Sequence, residues 1–315
     1  MFTRTTETSI EQSLLFHGGF LSPLETDDAV MRALAEDLGR AGDITSIATI
    51  PAGTPSRSVL VARTAGTISG LPLAAACFHK LAPDIEIEPL ARDGASVEAK
   101  TVLMRINGDA RAVLGAERVA LNFVQQLSGI ATATAAFVRK AGAGKTRICC
   151  TRKTTPGLRA LQKYAVRCGG GFNHRFGLDD AILIKDNHIA VAGGIRAVLE
   201  RARAAAGHLV KVEIEVDSLK QLAEVLDCGL ADVVLLDNFG IPDIRKAVEQ
   251  VAGRLVIEAS GGITLDNIAA IAATGVDYAS SGSLTHSAQA LDIGRSEEHT
   301  SELQSLAYLV CRLLL

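Results

Sequence analysis

The sequence contains no tryptophan, and its aromatic residues amount to only 4% of the chain. Few ring faces are therefore available for stacking on nucleic-acid bases. Positive charge is not in excess either, because 32 lysines and arginines stand against 35 acids, a net charge of −3. Apolar runs reach about ten residues, roughly half of what crosses a bilayer. We therefore expect neither nucleic acid nor membrane as a partner.

The six cysteines show no C-x-x-C spacing, and two of them are adjacent, which suits a pair of structural disulfides poorly. We expect them to be buried free thiols, at positions 77, 149, 150, 168, 228 and 311. Residues 1–11 lack the cationic and apolar pattern of a secretion signal. The expected location is the cytoplasm.

The 315 residues, 48% hydrophobic and 21% charged, are typical of a folded protein with one large or two medium domains. Apolar spacing predicts helices over residues 24–38 and 110–134. Short β-rich runs between residues 58 and 107 predict a small sheet. The first part of the chain is thus predicted to be an α/β domain.

From residue 145 onward, strand-like segments alternate with helix-like ones. The predicted strands are residues 147–151, 181–185, 210–216, 232–236, 255–259 and 276–279. Such alternation favours a parallel sheet with right-handed crossovers. We predict an incomplete (β/α) TIM-like barrel, with an open doubly wound sheet as the alternative.

A basic segment over residues 151–175 holds six cations and no acid. The glycine run Gly169-Gly170-Gly171 within it would let backbone N–H groups approach an anion. The segment therefore predicts an anion site, and the alternative is a solvated basic helix. Its cations are Arg152, Lys153, Arg159, Lys163, Arg167 and Arg175.

Charged residues also mark the predicted strand ends. Lys211, Glu213 and Glu215 alternate with apolar residues, so all three are expected on one face of their strand. A buried salt bridge between Lys211 and Glu213 is the alternative interpretation. Lys185 and Asp237 end their own strands, and the carboxyl ends of barrel strands form the catalytic mouth.

Two Gly/Ser loops follow the last two predicted strands, Ser260-Gly261-Gly262 and Ser281-Gly282-Ser283. In barrels the corresponding loops commonly bind phosphate through backbone amides and hydroxyls. Either loop alone would be weak evidence, because glycine is common in turns. Together with the basic segment, they indicate a ligand with a phosphate at one end and more negative charge at the other.

Several motifs resemble those of the quinolinate phosphoribosyltransferase family, in its order and spacing, over residues 24–294. They include Gly169-Gly170-Gly171-Phe172-Asn173-His174-Arg175 and Lys185-Asp186-Asn187-His188, with further matches at residues 36–45, 117–122, 151–159 and 285–287. The resemblance implies an α/β sandwich domain before the incomplete barrel. It also implies conversion of quinolinate and phosphoribosyl diphosphate to nicotinate mononucleotide, diphosphate and CO₂, with Mg²⁺ as cofactor, in NAD biosynthesis. The implied assembly is a homodimer with shared active sites, or a hexamer.

The resemblance also implies roles for individual residues. Those implied to be catalytic are Lys153, Lys185, Glu215 and Asp237, with Glu215 and Asp237 as Mg²⁺ ligands. Those implied to bind the substrates are Arg118 from the partner subunit, Thr151, Arg152, Lys153, His174, Arg175, Lys185, Glu215 and Asp237, together with Ser260, Gly261, Gly262, Ser281, Gly282, Ser283 and His286 around the phosphate.

The family pattern predicts the domain boundaries as well. They are an extension (1–23), the sandwich domain (24–124), the barrel (125–286), a return to the first domain (287–294) and a tail (295–315). The tail resembles the translation of a sequencing adapter, and we expect it to lie outside the folded core as an aggregation liability. A second departure is Cys150, at a position where many relatives have an aspartate.

Two other functions compete with this interpretation. One is a related phosphoribosyltransferase-like protein of molybdenum-uptake loci, against which the full set of Arg118, Arg152, His174, Arg175 and Lys185 argues. The other is a non-catalytic protein that binds small anions. Carboxylates such as Glu215 and Asp237 in the mouth disfavour it, because they repel anions.

Overall fold

The computed structural model describes residues 21–297. In chain order the strands are β1 Pro55–Ala62, β2 Gly66–Thr67, β3 Glu86–Pro89, β4 Ser96–Val97, β5 Val102–Asp109, β6 Arg147–Cys149, β7 Ile182–Ile184, β8 Val212–Val216, β9 Val233–Asp237, β10 Val256–Ser260, β11 Tyr278–Ser280 and β12 Ile293–Glu297. The helices are α1 Pro23–Leu38, α2 Ile44–Thr49, α3 Leu71–Leu81, α4 Ala110–Ala141, α5 Arg159–Cys168, α6 Asp186–Ala192, α7 Ile195–Ala205, α8 Leu219–Cys228, α9 Ile241–Val251, α10 Ile268–Ala272 and α11 Ser283–His286.

The chain divides into two compact units. One ends at Ala131 and resumes at Gln289, and the other is Thr132–Ala288. The observed helix α4 is longer than the predicted one over 110–134, because it continues to Ala141. It contributes residues to both units. None of the described helices is long and apolar enough to cross a bilayer.

The first unit is built on an antiparallel sheet with the strand order β12-β1-β5-β3. Its last strand, β12, pairs with β1 in a register that sets Arg295 opposite Leu60 and Glu297 opposite Ser58. The expectation that the chain leaves the folded domain at Arg295 is therefore wrong for residues 295–297. The rest of the predicted tail lies outside the described residues.

The second unit is a parallel sheet with the order β6-β11-β10-β9-β8-β7. Its first strand pairs with its last, and the remaining strands follow in sequence, which is the circular order of a barrel. A doubly wound sheet would instead place its first strands in the middle. The predicted incomplete barrel is thus confirmed, and its six predicted strands are all present with ends that differ by at most two residues.

The glycine run lies between the end of α5 and a short bridge to β6. The N–H groups of Gly169, Gly170 and Gly171 donate to carbonyls of α5, at Ala165, Arg167 and Val166, and so end that helix. They are not available to an anion, which corrects the sequence-based interpretation. A Cβ on Gly171 would lie 2.6 Å from the Thr134 side chain. Beyond the turn, Phe172 pairs with Cys149 of β6.

Two faces of the barrel strands have different compositions. The residues that pack against the helices are apolar, and they are Ile148, Ile184, Val212, Ile214, Val216, Val234, Leu236, Ile257, Ala259 and Ala279. By the period of two, the intervening residues face the barrel interior. This inner set includes the carboxylates Glu213, Glu215, Asp237 and Glu258, whereas a barrel interior is usually filled by branched apolar side chains.

Candidate active site

The carboxyl ends of β7, β8 and β9 border one cavity of about 290 Å³. Glu215 and Asp237, from the ends of β8 and β9, both line it, together with Asp186 at the start of α6 and Asp217. The Lys185 ammonium donates to Glu215 Oε2 at 2.6 Å. The cavity is acidic, and the structure brings together three of the four residues implied to be catalytic: Lys185, Glu215 and Asp237.

Lys211 does not belong to this group. It precedes β8, at the amino end of the strand, where its ammonium lies 3.4 Å from Asp232 and its side chain is 72% exposed. The prediction that Lys211 shares one face with Glu213 and Glu215 at the mouth is wrong. The alternative of a salt bridge to Glu213 is also wrong, because Glu213 contacts His174 instead. The alternation of a strand predicts which face a side chain lies on. It does not predict whether that side chain lies at the amino or the carboxyl end of the barrel.

Some cations of the basic segment bond to other parts of the protein, and others could bind an anion. Arg159 donates to Thr154 Oγ1 and to the Phe176 carbonyl, and Arg167 donates to the Gly171 carbonyl and lies 4.7 Å from the Phe172 ring centroid. These contacts hold loops in place. The predicted anion site therefore contains fewer than the six cations of the basic segment.

Lys163 is the least exposed of these cations, at 2%. Its ammonium donates to Cys150 Sγ at 3.2 Å and to the His174 carbonyl at 2.8 Å. Cys150 itself donates to Asn173 Oδ1. A thiol is thus the side-chain partner of this buried ammonium.

Arg152 and Arg175 have the features of an anion site. Each has a buried Nε that lacks a hydrogen-bond partner within residues 21–297. Burial, and then the positive charge of Arg152, lower the pKa of the Arg175 guanidinium. Arg175 is anchored by a bond from its Nη1 to the Ala181 carbonyl at 2.9 Å. Two close guanidinium groups with unused donors favour a bound anion.

His174 follows the turn after α5, and both of its ring nitrogens contact protein groups. Nε2 lies 3.1 Å from Glu213 and 3.7 Å from Glu258, and Nδ1 accepts a bond from the Arg175 N–H at 2.7 Å. Burial lowers the pKa of His174, but the hydrogen bond to Glu213 and the charge of Glu258 outweigh it, so the net pKa is raised. Sequence reasoning missed Glu258, although a lone acid within an apolar strand was a usable signal.

The predicted phosphate loops lie at the ends of β10 and β11. Gly261 and Gly262 have positive φ values of 85° and 60°, and a Cβ on Gly261 would lie 2.1 Å from Asn238 Oδ1. Both positions therefore require glycine. In the second loop, the Ser281 hydroxyl donates to the Ile263 carbonyl and lies 2.8 Å from that of Ser283.

Lys153 and His286 meet above Gly282. A Cβ there would lie 2.8 Å from Lys153 Cδ and 3.1 Å from the His286 ring. The Lys153 carbonyl accepts from Thr285 Oγ1, and Thr151 Oγ1 accepts from the Lys153 N–H. The end of β6 is thus joined to the loop after β11, which places a cation beside a predicted phosphate loop. Arg118 is an exposed residue of α4 in the other unit.

Comparisons with known proteins show the family to which the chain is similar. The C-terminal domain of quinolinate phosphoribosyl transferase matches residues 130–295, and the N-terminal domain matches residues 43–128. A carboxylating nicotinate-nucleotide pyrophosphorylase from Mycobacterium leprae is 46% identical over 87% of this chain and 99% of its own. The probable enzyme of the same name from Bacillus subtilis is 44% identical over 82% of this chain and 88% of its own.

Solved structures give the same result. A nicotinate-nucleotide pyrophosphorylase from Francisella tularensis superposes with a TM-score of 0.85 and 38% identity, covering 90% of this chain and 100% of its own. The NadC protein from Streptococcus pyogenes gives 0.84 and 40%, covering 89% and 99%.

Proposed function

The chain belongs to the quinolinate phosphoribosyltransferase family, and on that premise we propose how its barrel mouth carries out the family reaction. The activity is that of a carboxylating nicotinate-nucleotide pyrophosphorylase in NAD biosynthesis. Quinolinate and phosphoribosyl diphosphate are its substrates, and nicotinate mononucleotide, diphosphate and CO₂ are its products.

The observation that carries the quinolinate assignment is the pair of buried Nε donors on Arg152 and Arg175 that have no partner among residues 21–297. A guanidinium presents two parallel N–H groups to a planar carboxylate. Quinolinate has two adjacent carboxylates, so two neighbouring guanidinium groups match it in charge and in geometry. We assign Lys185 and His174 to the same end of the site, where Lys185 also holds Glu215 at 2.6 Å.

We assign the phosphoribosyl end to Lys153, His286 and the two glycine loops. Lys153 and His286 lie over Gly282, which supports binding of phosphate oxygens there. The loop of Ser260, Gly261 and Gly262 and that of Ser281, Gly282 and Ser283 flank this point at neighbouring strand ends, since Ser260 and Ser280 are paired in the sheet.

Magnesium fits the acidic cavity. Glu215 and Asp237 line it with carboxylate oxygens, and Mg²⁺ is typically bound by one or two carboxylates plus substrate phosphates. When bound, the ion would neutralise the leaving diphosphate. Asn238 Nδ2 donates to Asp237 Oδ2 at 2.8 Å and so orients that carboxylate.

The protein's own contribution is positioning and electrostatics. Loss of diphosphate leaves positive charge at ribose C1, which Glu215 and Asp237 stabilise. The ring nitrogen of quinolinate, held by its carboxylates, then forms the new bond. Once ribosylated, this nitrogen carries a positive charge that stabilises the electron pair left on the adjacent ring carbon when CO₂ departs. A proton from water then binds that carbon in place of the carboxylate, so decarboxylation needs no organic cofactor.

The direct test follows CO₂ release from carboxyl-labelled quinolinate, with and without phosphoribosyl diphosphate, and with Mg²⁺ or a chelator. We expect release only when all components are present. Arg175→Ala should lower kcat/KM for quinolinate at least about 100-fold, since an unmatched buried carboxylate costs a few kcal/mol. Lys211→Ala, which removes a cation from the opposite end of β8, is the matched control. Absence of release that depends on phosphoribosyl diphosphate would refute the function.

We further propose a homodimer in which Arg118 acts in the partner's site. Its exposure on α4 supports this role, because the side chain is available to another subunit. An Arg118→Ala protomer mixed with a Lys185→Ala protomer should regain part of the activity through hybrid sites. No recovery in fully exchanged heterodimers would contradict action in trans, and light scattering distinguishes a dimer from a hexamer.

We propose the cytoplasm as the location of the protein. Within residues 21–297, the cysteines at 77, 149, 150, 168 and 228 form no disulfide and all but Cys228 are buried, whereas Cys311 lies outside these residues. Free thiols are typical of a reducing compartment.

A further inference from the structure

Three titratable side chains meet inside the barrel, and the proposed reaction assigns no role to two of them, Glu213 and Glu258. His174, Glu213 of β8 and Glu258 of β10 have side chains that are 12%, 11% and 6% exposed. One ring nitrogen and one oxygen from each carboxyl group all lie within 4.8 Å of one another. We call these three residues the inner cluster.

The inner cluster is costly to the fold. Glu213 Oε1 and Glu258 Oε1 are buried and have no hydrogen-bond partner in the part of the chain that the structure describes. The Ser280 hydroxyl is the side-chain donor to Glu258. Burying a carboxylate costs several kcal/mol unless it is well paired, and an apolar side chain would fill the same space at lower cost. Stability therefore does not account for an acid at position 258.

The hydrogen bonds argue against a metal ion in the inner cluster. Because His174 Nδ1 accepts the N–H of Arg175, the ring proton resides on Nε2. Nε2 then donates to Glu213 and has no lone pair for a metal. Lys163, whose ammonium donates to the His174 carbonyl at 2.8 Å, also brings a positive charge beside the cluster.

We propose that Glu258 is a positioning residue for the carboxylate-binding end of the site, acting with Glu213 to hold the His174 ring in place. The ring in turn accepts from the backbone of Arg175, so its orientation sets the position from which Arg175 extends toward Arg152. This proposal rests on the assignment of these two arginines to quinolinate.

The first experiment separates the two ends of the site. Glu258→Gln keeps the size and removes the charge, Glu258→Met replaces the acid by an apolar side chain, and Glu249→Gln removes an exposed acid of α9 as the control. Binding of quinolinate and of phosphoribosyl diphosphate with Mg²⁺ to the full chain is measured by calorimetry, alongside KM and kcat.

We expect Glu258→Gln to raise the Kd and KM for quinolinate about tenfold and Glu258→Met to raise them further. The Kd for phosphoribosyl diphosphate should change less than twofold in both, and Glu249→Gln should match the unchanged protein. Quinolinate binding within twofold of the unchanged protein in Glu258→Gln, or equal weakening of both substrates, would overturn the proposal.

A second experiment needs no substrate. Nitrogen-15 spectra of the histidine rings, with His174 assigned through His174→Gln, report its tautomer in the free protein. Glu258→Gln should shift the Nε2 resonance of His174, and Glu249→Gln should not. An unchanged resonance would overturn positioning through the ring, and a shift on adding Mg²⁺ or Zn²⁺ would show a cation site instead. If the unchanged protein does not bind quinolinate, the proposed function fails while the ring signal still reports on Glu258.

Discussion

Deleting Arg295 and everything after it should destabilise the protein, contrary to the expectation that the sequence pattern alone suggests. Arg295 lies in β12 with a side chain only 10% exposed, and its Nε donates to Glu117 Oε2 at 2.6 Å. It also contacts Glu297, which is 40% exposed. The relevant comparison is between a chain ending at Gly294 and a chain ending at Glu297.

The size of the effect follows from these contacts. A hydrogen bond between charged groups contributes about 1.5–3 kcal/mol, and Glu117 would be left unpaired at 24% exposure. The exposed pair with Glu297 contributes little. Loss of strand pairing opposite Ser58, Val59 and Leu60 adds about 1–2 kcal/mol. The total is about 4 kcal/mol, which at about 2–4 °C per kcal/mol lowers Tm on the order of 8–16 °C.

Differential scanning calorimetry of the two truncated chains measures this difference directly. Arg295→Ala in the chain ending at Glu297 isolates the ion pair and should account for about half of the shift. A chain ending at Gly294 that melts within about 2 °C of the longer one would refute the reasoning, because β12 would then contribute nothing beyond Gly294.

Three further predictions concern the second unit. Cys150→Asp should raise Tm and Cys150→Ala should lower it, because the ammonium of the buried Lys163 contacts the Cys150 thiol and gains a carboxylate partner only in the first variant. Equal Tm shifts of the two variants in calorimetry would contradict this. Burial, and then the charge of Glu213, raise the pKa of Glu258 from 4.5 to about 7, so the unfolded chain loses this proton first and stability falls as pH rises between these values. Glu258→Gln should therefore gain stability relative to the unchanged protein from pH 5 to pH 8 in denaturant titrations, and a constant difference would be inconsistent with that pKa. Nicotinate lacks the second carboxylate and leaves a buried guanidinium unmatched, so its kcat/KM should be at least about 100-fold below that of quinolinate in the same assay. Comparable values would falsify the two-arginine site.

The sequence by itself determined the order of elements, the fold class and the composition of the mouth. Alternation of strand and helix predicted the incomplete barrel, because hydrophobic periodicity is a local property that the chain carries wherever it folds. Glu215, Asp237 and Lys185 were placed correctly at strand ends for the same reason. The motifs around Arg152 and Arg175 predicted the chemistry of the ligand.

Only the tertiary structure decided which charges face a ligand and which hold the protein together. The six cations of the basic segment are equivalent in sequence, yet Lys163 is buried against Cys150 and Arg167 packs on Phe172. Lys211 and Glu215 share an alternation pattern but contact different partners at opposite ends of β8. Contacts such as that of His174 with Glu258 join residues far apart in the chain. They depend on strand order and register, which local patterning does not encode.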